Sequence, residues 1–391
     1  MRITGGTIVD GTGRQPFKGD IDIEEGVIKR LFFPGEGPEI SGKGETSIDA
    51  AGKFILPGLI DSHNHLGLEL GDEEAQMLEP STLIALRAAR RAWENLKTGV
   101  TTMRTMGEKD YIDVAYRQAR EEGSIRGPKV MVAGWAITRT GGHGYYIARE
   151  ADGHEEVRKA VRNNLKMGAD FIKLLVSGGG STKSSSPTNV EMTFEEISMA
   201  VNEAHMRGKR VAVHCHGGLP ASCSIQAGVD SIEHGFFLTR RHLEAMRSKG
   251  ISLVSTLGFL LIPKPAGEET RPQWYLDKLK YMIEKARETM LMAKEIGVDV
   301  AVGQDCDHGK IAGEIECLVE LGWSPLHAIR AATERGAALC DLDDVGTITV
   351  GRRADLVIVG KDPTADVSTL RSVDMVLKNG RVVYEDGKSP D

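Results

Sequence analysis

The stretch PGLIDSHNH, residues 57–65, ends a predicted strand with two histidines separated by one residue. Because side chains alternate along a strand, His63 and His65 project from the same side of it. Two neutral imidazoles on one face can bind Zn²⁺ or a similar ion. The pair alone is a weak signal, since two surface histidines would match it equally well. Its meaning depends on what the ends of other strands carry.

Around this stretch, short apolar strands alternate with amphipathic helical segments, which is the pattern of repeated βα units and a parallel sheet. The predicted strands are Phe54–His65, Val100–Met106, Val130–Ile137, Ala169–Val176, Arg210–His216, Ser231–His234, Ser252–Leu257 and Val300–Asp305. The predicted helical segments include Ser81–Leu96, Phe194–Arg207 and Leu276–Ile296. The pattern predicts an α/β fold, a (β/α)₈ TIM barrel with catalytic groups at the C-terminal strand ends. An open doubly wound sheet is the weaker alternative, because no Gly-rich nucleotide fingerprint follows the first strand.

Both chain ends carry short β-type runs between Gly and Asp turns, and neither end has enough strands for a stable sheet alone. We predict that residues 1–56 and 346–391 combine into one small β-sandwich domain. This domain would bracket the barrel, residues 57–345.

Composition narrows the classes of partner. The 391 residues carry a formal net charge of -7, with no basic stripe to attract nucleic acid or an anionic membrane. No apolar run approaches the ~20 residues that span a bilayer. The N-terminus turns polar before a signal-peptide core could form, and the five cysteines show no paired spacing. We expect a cytoplasmic protein that acts on a small-molecule substrate.

Further hydrophilic side chains end the other predicted strands, where a structural residue would normally be apolar. They are Lys173, His214, His216, His234 and Asp305. Any single one could be a satisfied core polar group, but the whole set on a common face is hard to explain without an ion.

Lys173 lies inside a strand, and an ammonium buried among metal-bound cations would have a lowered pKa. A neutral amine can react with carbon dioxide to give a carbamate, which could bridge two divalent ions as a carboxylate does. The alternative is that Lys173 pairs with a carboxylate such as Glu191.

Three long post-strand loops leave the predicted catalytic face, and we interpret them as substrate loops or a lid. They are Arg139–Asp152, Ser177–Asn189 and Gly258–Gln273. The alternative is that they are flexible connectors.

Over almost its full length the chain resembles the amidohydrolase superfamily. The resemblance rests on PGLIDSHNH (57–65), FIK (171–173), VH (213–214), SIEHG (231–235), Asp305 and the tail GTITVGRRADLV (346–357). It is closest to the imidazolonepropionase-like and prolidase-like branch, whose substrate-loop histidine motif is similar to GGHG at 141–144.

The resemblance implies a centre of two divalent metal ions, with zinc the expected metal and manganese, cobalt or iron as alternatives. His63, His65 and Asp305 would hold the more buried ion, and His214 and His234 the more exposed one. Lys173, N6-carboxylated, and a hydroxide would bridge the two.

The resemblance also implies two catalytic residues. His143 would polarise the scissile carbonyl or hold the tetrahedral oxyanion. Asp305 would accept the proton of the bridging hydroxide and deliver it to the leaving nitrogen.

His214 and His216 face the same way, and only one is needed as a ligand. We assign His214 to the metal, because it matches the family ligand, and His216 to the substrate.

A substrate with a carboxylate needs a cation. Arg139 is the candidate, and Arg104 is a weaker one that could equally form a salt bridge within the barrel.

Tyr145 and Tyr146 could line the pocket or pack against the base of their loop.

The function expected is hydrolysis of an amide bond in a dipeptide or an N-acyl amino acid. The alternatives are a cyclic amide or imidazolone, or an ester, lactone or phosphotriester on the same site. Deamination is disfavoured by the resemblance, because deaminases of this superfamily commonly use one metal and place a Glu shortly after the fifth-strand histidine. Here no Glu closely follows His214, and the fourth strand carries a lysine.

A degenerate, non-enzymatic homologue is also disfavoured, since no ligand is missing from the set. Family members often form homo-oligomers, which is the expectation for this chain as well.

Overall fold

The computed structural model describes residues 1–33, 36, 47–262 and 269–388. The strands are β1 Arg2–Ile8, β2 Phe17–Glu24, β3 Val27–Phe32, β4 Ser47–Asp49, β5 Phe54–Pro57, β6 Leu59–Asn64, β7 Val100–Thr105, β8 Lys129–Met131, β9 Ala136–Thr138, β10 Ala148–Glu150, β11 Ile172–Leu175, β12 Val211–Gly217, β13 Ser231–Phe237, β14 Ser252–Ser255, β15 Val300–Val302, β16 Leu356–Val359, β17 Val373–Lys378 and β18 Arg381–Glu385.

The helices between these strands are α1 Glu73–Gln76, α2 Ser81–Lys97, α3 Ile112–Glu121, α4 Gly153–Lys166, α5 Phe194–His205, α6 Gly218–Ala227, α7 Arg240–Lys249, α8 Gly258–Leu261, α9 Gln273–Ile296, α10 Ile311–Glu320, α11 Pro325–Ala331 and α12 Glu334–Leu339. The helices predicted from periodicity, now α2, α5 and α9, are present within a few residues of their expected ends. No helix in the described part of the chain is long and apolar enough to cross a membrane.

Strands from both chain ends form one sheet, in the order β18-β17-β16-β5-β1-β2-β3 with β4 beside β1. Its core consists largely of isoleucines that alternate along the strands, among them Ile3, Ile21, Ile55 and Ile358. The expected pairing of the two ends is therefore present. In the described residues these strands make one continuous hydrogen-bonded sheet, so two separate layers of a β-sandwich are not confirmed.

The middle of the chain has the expected parallel βα pattern. Strands β6-β7-β8 form one parallel sheet, and β10-β9-β11-β12-β13-β14-β15 form another. A parallel bridge between Asn64 and Asp305 joins β6 to the residues after β15. There, the Asp305 amide donates to the carbonyl of His63 at 2.8 Å. This bridge brings the first and last strand ends of the pattern together.

The predicted strand Val130–Ile137 is divided into β8 and β9, which belong to different sheets. Gly134 lies between them with a φ of +70°, which is left-handed backbone that interrupts a strand. In the described residues the ladder is therefore not continuous, and a closed ring of strands is not established.

The predicted strand Phe54–His65 is also divided. β5 pairs with β1 and β16 in the terminal sheet, whereas β6 pairs with β7 in the barrel region. Gly58 lies at the break, where a Cβ atom would collide with the side chain of Thr101. The Gly58 amide donates to the carbonyl of Asp355 at 2.7 Å. Only a glycine allows this close approach of the chain to Thr101. Gly58 therefore lies where the chain passes from the terminal sheet to the parallel strands.

The predicted substrate loops are largely irregular, as expected. Arg139–Asp152 contains a short turn of 3₁₀ helix and β10. Gly258–Gln273 contains α8, and its residues 263–268 lie outside the described part of the chain.

Candidate metal centre and active site

The C-terminal ends of the parallel strands surround a cavity of about 60 Å³. Every residue predicted as a metal ligand or catalytic group lines it, together with two predicted substrate contacts. These are His63, His65, His143, Tyr146, Lys173, His214, His216, His234 and Asp305. The structure thus gathers side chains from five strand ends and one loop around a single space.

Three of these residues form the tightest group of ligand atoms. His63 Nε2 lies 3.9 Å from Asp305 Oδ2, and His65 Nε2 lies 3.9 Å from Asp305 Oδ1. Of all the described histidines, cysteines and carboxylates, only these bring three ligand atoms within 4.8 Å of one another. A divalent ion between two imidazoles and a carboxylate has this donor chemistry.

The second ring nitrogen of each histidine in this group is already bound. His63 Nδ1 donates to Glu233 Oε2 at 2.9 Å, and His65 Nδ1 donates to the carbonyl of Gly107 at 3.1 Å. These bonds fix the rings and leave both Nε2 atoms toward Asp305. Metal-binding histidines are held in this way, with a carboxylate or carbonyl on the far nitrogen.

Glu233 is a fully buried residue that the sequence reading missed. It also accepts from Arg104 Nη2 at 2.7 Å and from Ser231 Oγ at 2.6 Å. Arg104 is thus engaged in a salt bridge inside the barrel, which was the alternative to substrate binding. The signal was present, because an acidic residue in the apolar strand SIEHG needs a buried partner.

One residue within β13 and one shortly after β15 adopt unusual backbone conformations. His234 has a φ of +68° and Asp305 a φ of +57°, a region that non-glycine residues occupy at some cost. His234 Nδ1 hydrogen-bonds to Thr256 Oγ1 at 2.7 Å, which leaves its Nε2 free to face the cavity. Strain of this kind is typical of functional sites, where surrounding structure enforces it.

Lys173 is only 1% exposed, and burial lowers the pKa of its ammonium to about 8. In a substantial fraction of the molecules the Lys173 amine is therefore neutral near pH 8, which is the form that carbamate formation requires. The alternative partner Glu191 is occupied, because it binds Arg139 at 2.6 Å and Ser185 at 3.0 Å.

His214 and His216 both line the cavity, and their ring nitrogens differ in hydrogen bonding. His214 Nε2 donates to the carbonyl of Gly178 at 3.1 Å, which leaves its Nδ1 available. His216 Nδ1 is buried without a hydrogen-bond partner among the described residues. A buried unpaired nitrogen is costly, and a substrate or an ion could satisfy it.

His143 enters the cavity from the loop after β9, and its ring centroid lies 4.4 Å from that of His214. Its Nδ1 contacts Thr182 Oγ1 at 2.9 Å, and the same oxygen accepts from the amide of Gly144 at 2.9 Å. Gly179 packs against the ring so closely that a Cβ atom there would collide with it. The two predicted substrate loops therefore hold His143 between them.

Burial keeps the cavity histidines neutral. It lowers the pKa of His65, His143 and His216 to about 3 each. It also places the pKa values of His63 and His214 well below their usual range. Neutral imidazoles are the form that binds metal ions. For Asp305 the same desolvation raises the carboxyl pKa to about 6.

Glu73 was not anticipated, although it lines the cavity and is 7% exposed. Burial, followed by repulsion from Asp305, raises the pKa of its carboxyl to about 7. It accepts from Tyr146 Oη at 3.0 Å, so the predicted pocket tyrosine is present at the cavity wall. No sequence signal separates Glu73 from Glu74, since only the tertiary fold turns one of them inward.

Two predicted substrate contacts are not brought to the cavity. Arg139 pairs with Glu191, and its side chain remains 45% exposed. Tyr145 donates its hydroxyl to Glu74 and does not line the cavity. Their role in substrate binding stays a prediction that requires a substrate extending beyond this space.

Similarity to known proteins agrees with the geometry. The sequence pattern of the Amidohydrolase family matches residues 54–383. The chain belongs to the amidohydrolase family. Divalent metal chemistry is typical of this family, and the His63, His65 and Asp305 group fits it.

Individual relatives refine the placement of this amidohydrolase. Ochratoxinase of Aspergillus niger is 28% identical over 428 aligned residues, which cover 99% of this chain and 87% of the relative. A solved Xaa-Pro dipeptidase with bound methionine in its active site has a TM-score of 0.88 and 32% identity, with 98% and 99% of the two chains covered. A solved prolidase complexed with N-methylphosphonate-L-proline has a TM-score of 0.91 and 27% identity, with 98% and 99% covered.

The expected superfamily and branch are thereby confirmed. The amidohydrolase is a hydrolase of C–N bonds, and the family and its neighbours support metal-dependent cleavage of an amide. Its structural neighbours have the amidohydrolase fold, a TIM barrel with a second domain.

Proposed function

We propose that this amidohydrolase cleaves the amide bond of a dipeptide or an N-acyl amino acid at a centre of two divalent ions. The observation that carries the proposal is the convergence of neutral histidines, Lys173 and Asp305 on one cavity. The similarity to a Xaa-Pro dipeptidase and a prolidase supports the dipeptide as substrate.

The proposed ligand sets are those that the family resemblance implies. The more buried ion would be held by His63, His65 and Asp305, and the more exposed one by His214 and His234. Carboxylated Lys173 would bridge them, and zinc is the proposed metal. Support comes from the neutral state of the imidazoles and from the buried amine, whose lowered pKa permits carboxylation.

Bound divalent ions would activate water and polarise the scissile carbonyl. The residues of the chain then move protons and bind charge. Asp305, held at the end of its strand, would accept a proton from the attacking water and pass it to the leaving nitrogen. His143, fixed by Thr182, would hydrogen-bond to the carbonyl oxygen as negative charge develops.

The proposed substrate contacts are His216, whose Nδ1 has no hydrogen-bond partner among the described residues, and Tyr146 at the wall. Arg139 and Tyr145 would reach only a substrate that extends past the cavity. We also propose that the parallel strands close into a (β/α)₈ barrel and that the strands of both chain ends form a small β-sandwich domain.

The test is a screen of the protein reconstituted with zinc and bicarbonate. Dipeptides and N-acetyl amino acids would be compared with cyclic amides and simple esters, and metal content would be measured alongside. Hydrolysis of the linear amides with about two metal equivalents supports the proposal. Preference for cyclic amides or esters would overturn the substrate class. Fewer than one equivalent would favour a degenerate homologue.

A further inference from the structure

The cavity holds an unexpected balance of charge. A substrate carboxylate requires a cation, yet Lys173 is the one Lys or Arg side chain among the described residues that line the space. Lys173 is committed to the metal centre under the proposed function. Arg139, the predicted cation, is neutralised by Glu191 outside the cavity. Apart from the proposed metal ligands, the cavity wall carries the carboxylate of Glu73.

Glu73 is held firmly at this wall. One oxygen, Oε2, accepts from Tyr146 Oη at 3.0 Å, and Tyr146 also contacts Ser181 Oγ at 2.9 Å. The other oxygen, Oε1, is 3.8 Å from the sulfur of Cys306, the residue after Asp305. The carboxylate therefore lies beside the reacting centre and not at the rim.

Glu73 also lacks a cationic partner. Within the part of the chain that the structure describes, no Lys, Arg or His nitrogen lies within ion-pair distance of it. Its hydrogen bonds come from a hydroxyl and a thiol, which are neutral donors. A buried carboxylate without a cation is costly, and such groups are retained where a ligand supplies the missing charge.

We propose that Glu73 binds the cationic nitrogen of the substrate and so selects free-amine dipeptides over N-acylated amino acids. In a dipeptide the α-ammonium is attached one carbon from the scissile carbonyl. With that carbonyl near Asp305 and His143, the ammonium can reach the adjacent wall. This inference rests on the proposed function for its substrate class, and it decides between the two substrates left open there.

The test measures binding and turnover separately. Isothermal titration of the zinc-loaded protein with L-methionine amide and with N-acetyl-L-methionine amide compares the same side chain with and without the ammonium. We expect the free amine to bind more tightly, and Glu73→Gln to weaken it by roughly 10- to 100-fold, since hydrogen bonds to charged groups have that strength. The acetylated ligand should be little affected. Glu74→Gln is the matched control, because Glu74 is the neighbouring carboxylate and does not line the cavity.

Glu73→Asp keeps the charge on a shorter side chain and should give an intermediate loss, so the comparison survives if one variant fails to fold. Equal weakening of both ligands by Glu73→Gln, or tighter binding of the acetylated ligand to the parent protein, would overturn the inference. Kinetics on the best dipeptide and its N-acetyl derivative follow the same variants. Selective amine binding without amide hydrolysis would refute the proposed function alone, whereas hydrolysis without amine preference would refute the role of Glu73 alone.

Discussion

Asp305 has two tasks in the proposed chemistry, because it lies beside the Nε2 atoms of His63 and His65 and also faces the cavity. Its left-handed backbone is enforced by amide and carbonyl bonds to β6. An asparagine keeps the shape and one oxygen donor but cannot take a proton.

We therefore expect Asp305→Asn to retain metal and to lose nearly all turnover, by at least about 100-fold, as general-base removal commonly does. Metal analysis and kcat on the best substrate check this. An unchanged kcat would refute the assignment of Asp305 as the proton acceptor.

Glu233 illustrates a residue that acts through another. It joins Arg104 to His63 in a fully buried chain of hydrogen bonds. Glu233→Gln would leave the Arg104 guanidinium without its counter-charge and would weaken the hold on the His63 ring.

We expect this variant to lower the free energy of unfolding by about 3–5 kcal/mol, as breaking a buried pair does. Zinc affinity should fall roughly 10- to 100-fold. Urea denaturation and competition with a chelator measure the two effects. Glu295→Gln, which removes an exposed pair with Arg240, is the control and should change neither. Normal zinc affinity in Glu233→Gln would contradict the positioning role.

Glu73 makes stability depend on pH in the metal-free protein. Its carboxyl pKa is raised from 4.5 to about 7 by burial, so the folded state holds the proton more tightly than the unfolded state. The stabilisation is complete below pH 4.5 and is lost as the pH rises toward 7.

Between pH 4.5 and 7 the free energy of unfolding of the metal-free Glu73→Gln protein should therefore fall less than that of the metal-free parent. The two losses should differ by roughly 3 kcal/mol at most. Urea denaturation at a series of pH values tests the difference between the two proteins. That difference removes the contribution of Asp61, whose raised carboxyl pKa is common to both proteins, and reports Glu73 together with its repulsion of Asp305. Parallel curves would contradict the raised pKa.

At the scale of elements, α9 and the loop of residues 177–189 are joined by one side chain. Lys278 on α9 donates to the carbonyls of Thr182 at 2.7 Å and Ser185 at 2.6 Å. Thr182 in turn contacts His143, so the ammonium fixes the loop that orients the proposed oxyanion donor.

We expect Lys278→Met to preserve the helix while it releases the loop, because only the ammonium is removed; the cation–π contact of Lys278 with the Trp274 ring is lost as well. The kcat should fall about tenfold, which corresponds to the loss of one charge-assisted hydrogen bond, and cleavage of the loop by protease should become faster. Lys280→Met on the exposed face of α9 is the matched control. Unchanged kcat with faster proteolysis would show that the loop is tethered but does not orient His143.

At the scale of the whole molecule, the proposed metal centre connects strands from opposite ends of the parallel pattern. The Asn64–Asp305 bridge is the backbone counterpart of this connection. Ions bound here would link β6 with the segment after β15, and they would stabilise the folded state over the unfolded one.

Removal of metal by a chelator should therefore lower the melting temperature. With free zinc at 100 times the dissociation constant, the stabilisation lost is about 2.7 kcal/mol per independent site. Calorimetry of the zinc-loaded and stripped protein measures it. A Tm that is independent of metal would contradict ligation across these strands. The expected homo-oligomer stays a prediction, which light scattering can check.

Much of this architecture could be predicted from local pattern. Apolar strands that alternate with amphipathic helices indicate parallel βα units, because the two periodicities are set by the backbone geometry of each element. The histidines at strand ends were informative for the same reason, since alternation fixes the side of the strand on which His63 and His65 lie. The sequence alone therefore determined the parallel βα pattern and the histidines, Lys173 and Asp305 that converge on the cavity.

The tertiary structure alone decided which groups lie between those side chains and how the strands are divided. Gly58 separates β5 from β6, because a neighbouring side chain leaves no room for a Cβ atom, and that neighbour is distant in sequence. Glu73 is turned into the cavity while Glu74 is not, and Arg139 meets Glu191 before it could meet a substrate. Charge pairing and close packing depend on distances across the fold, which periodicity along the chain does not encode.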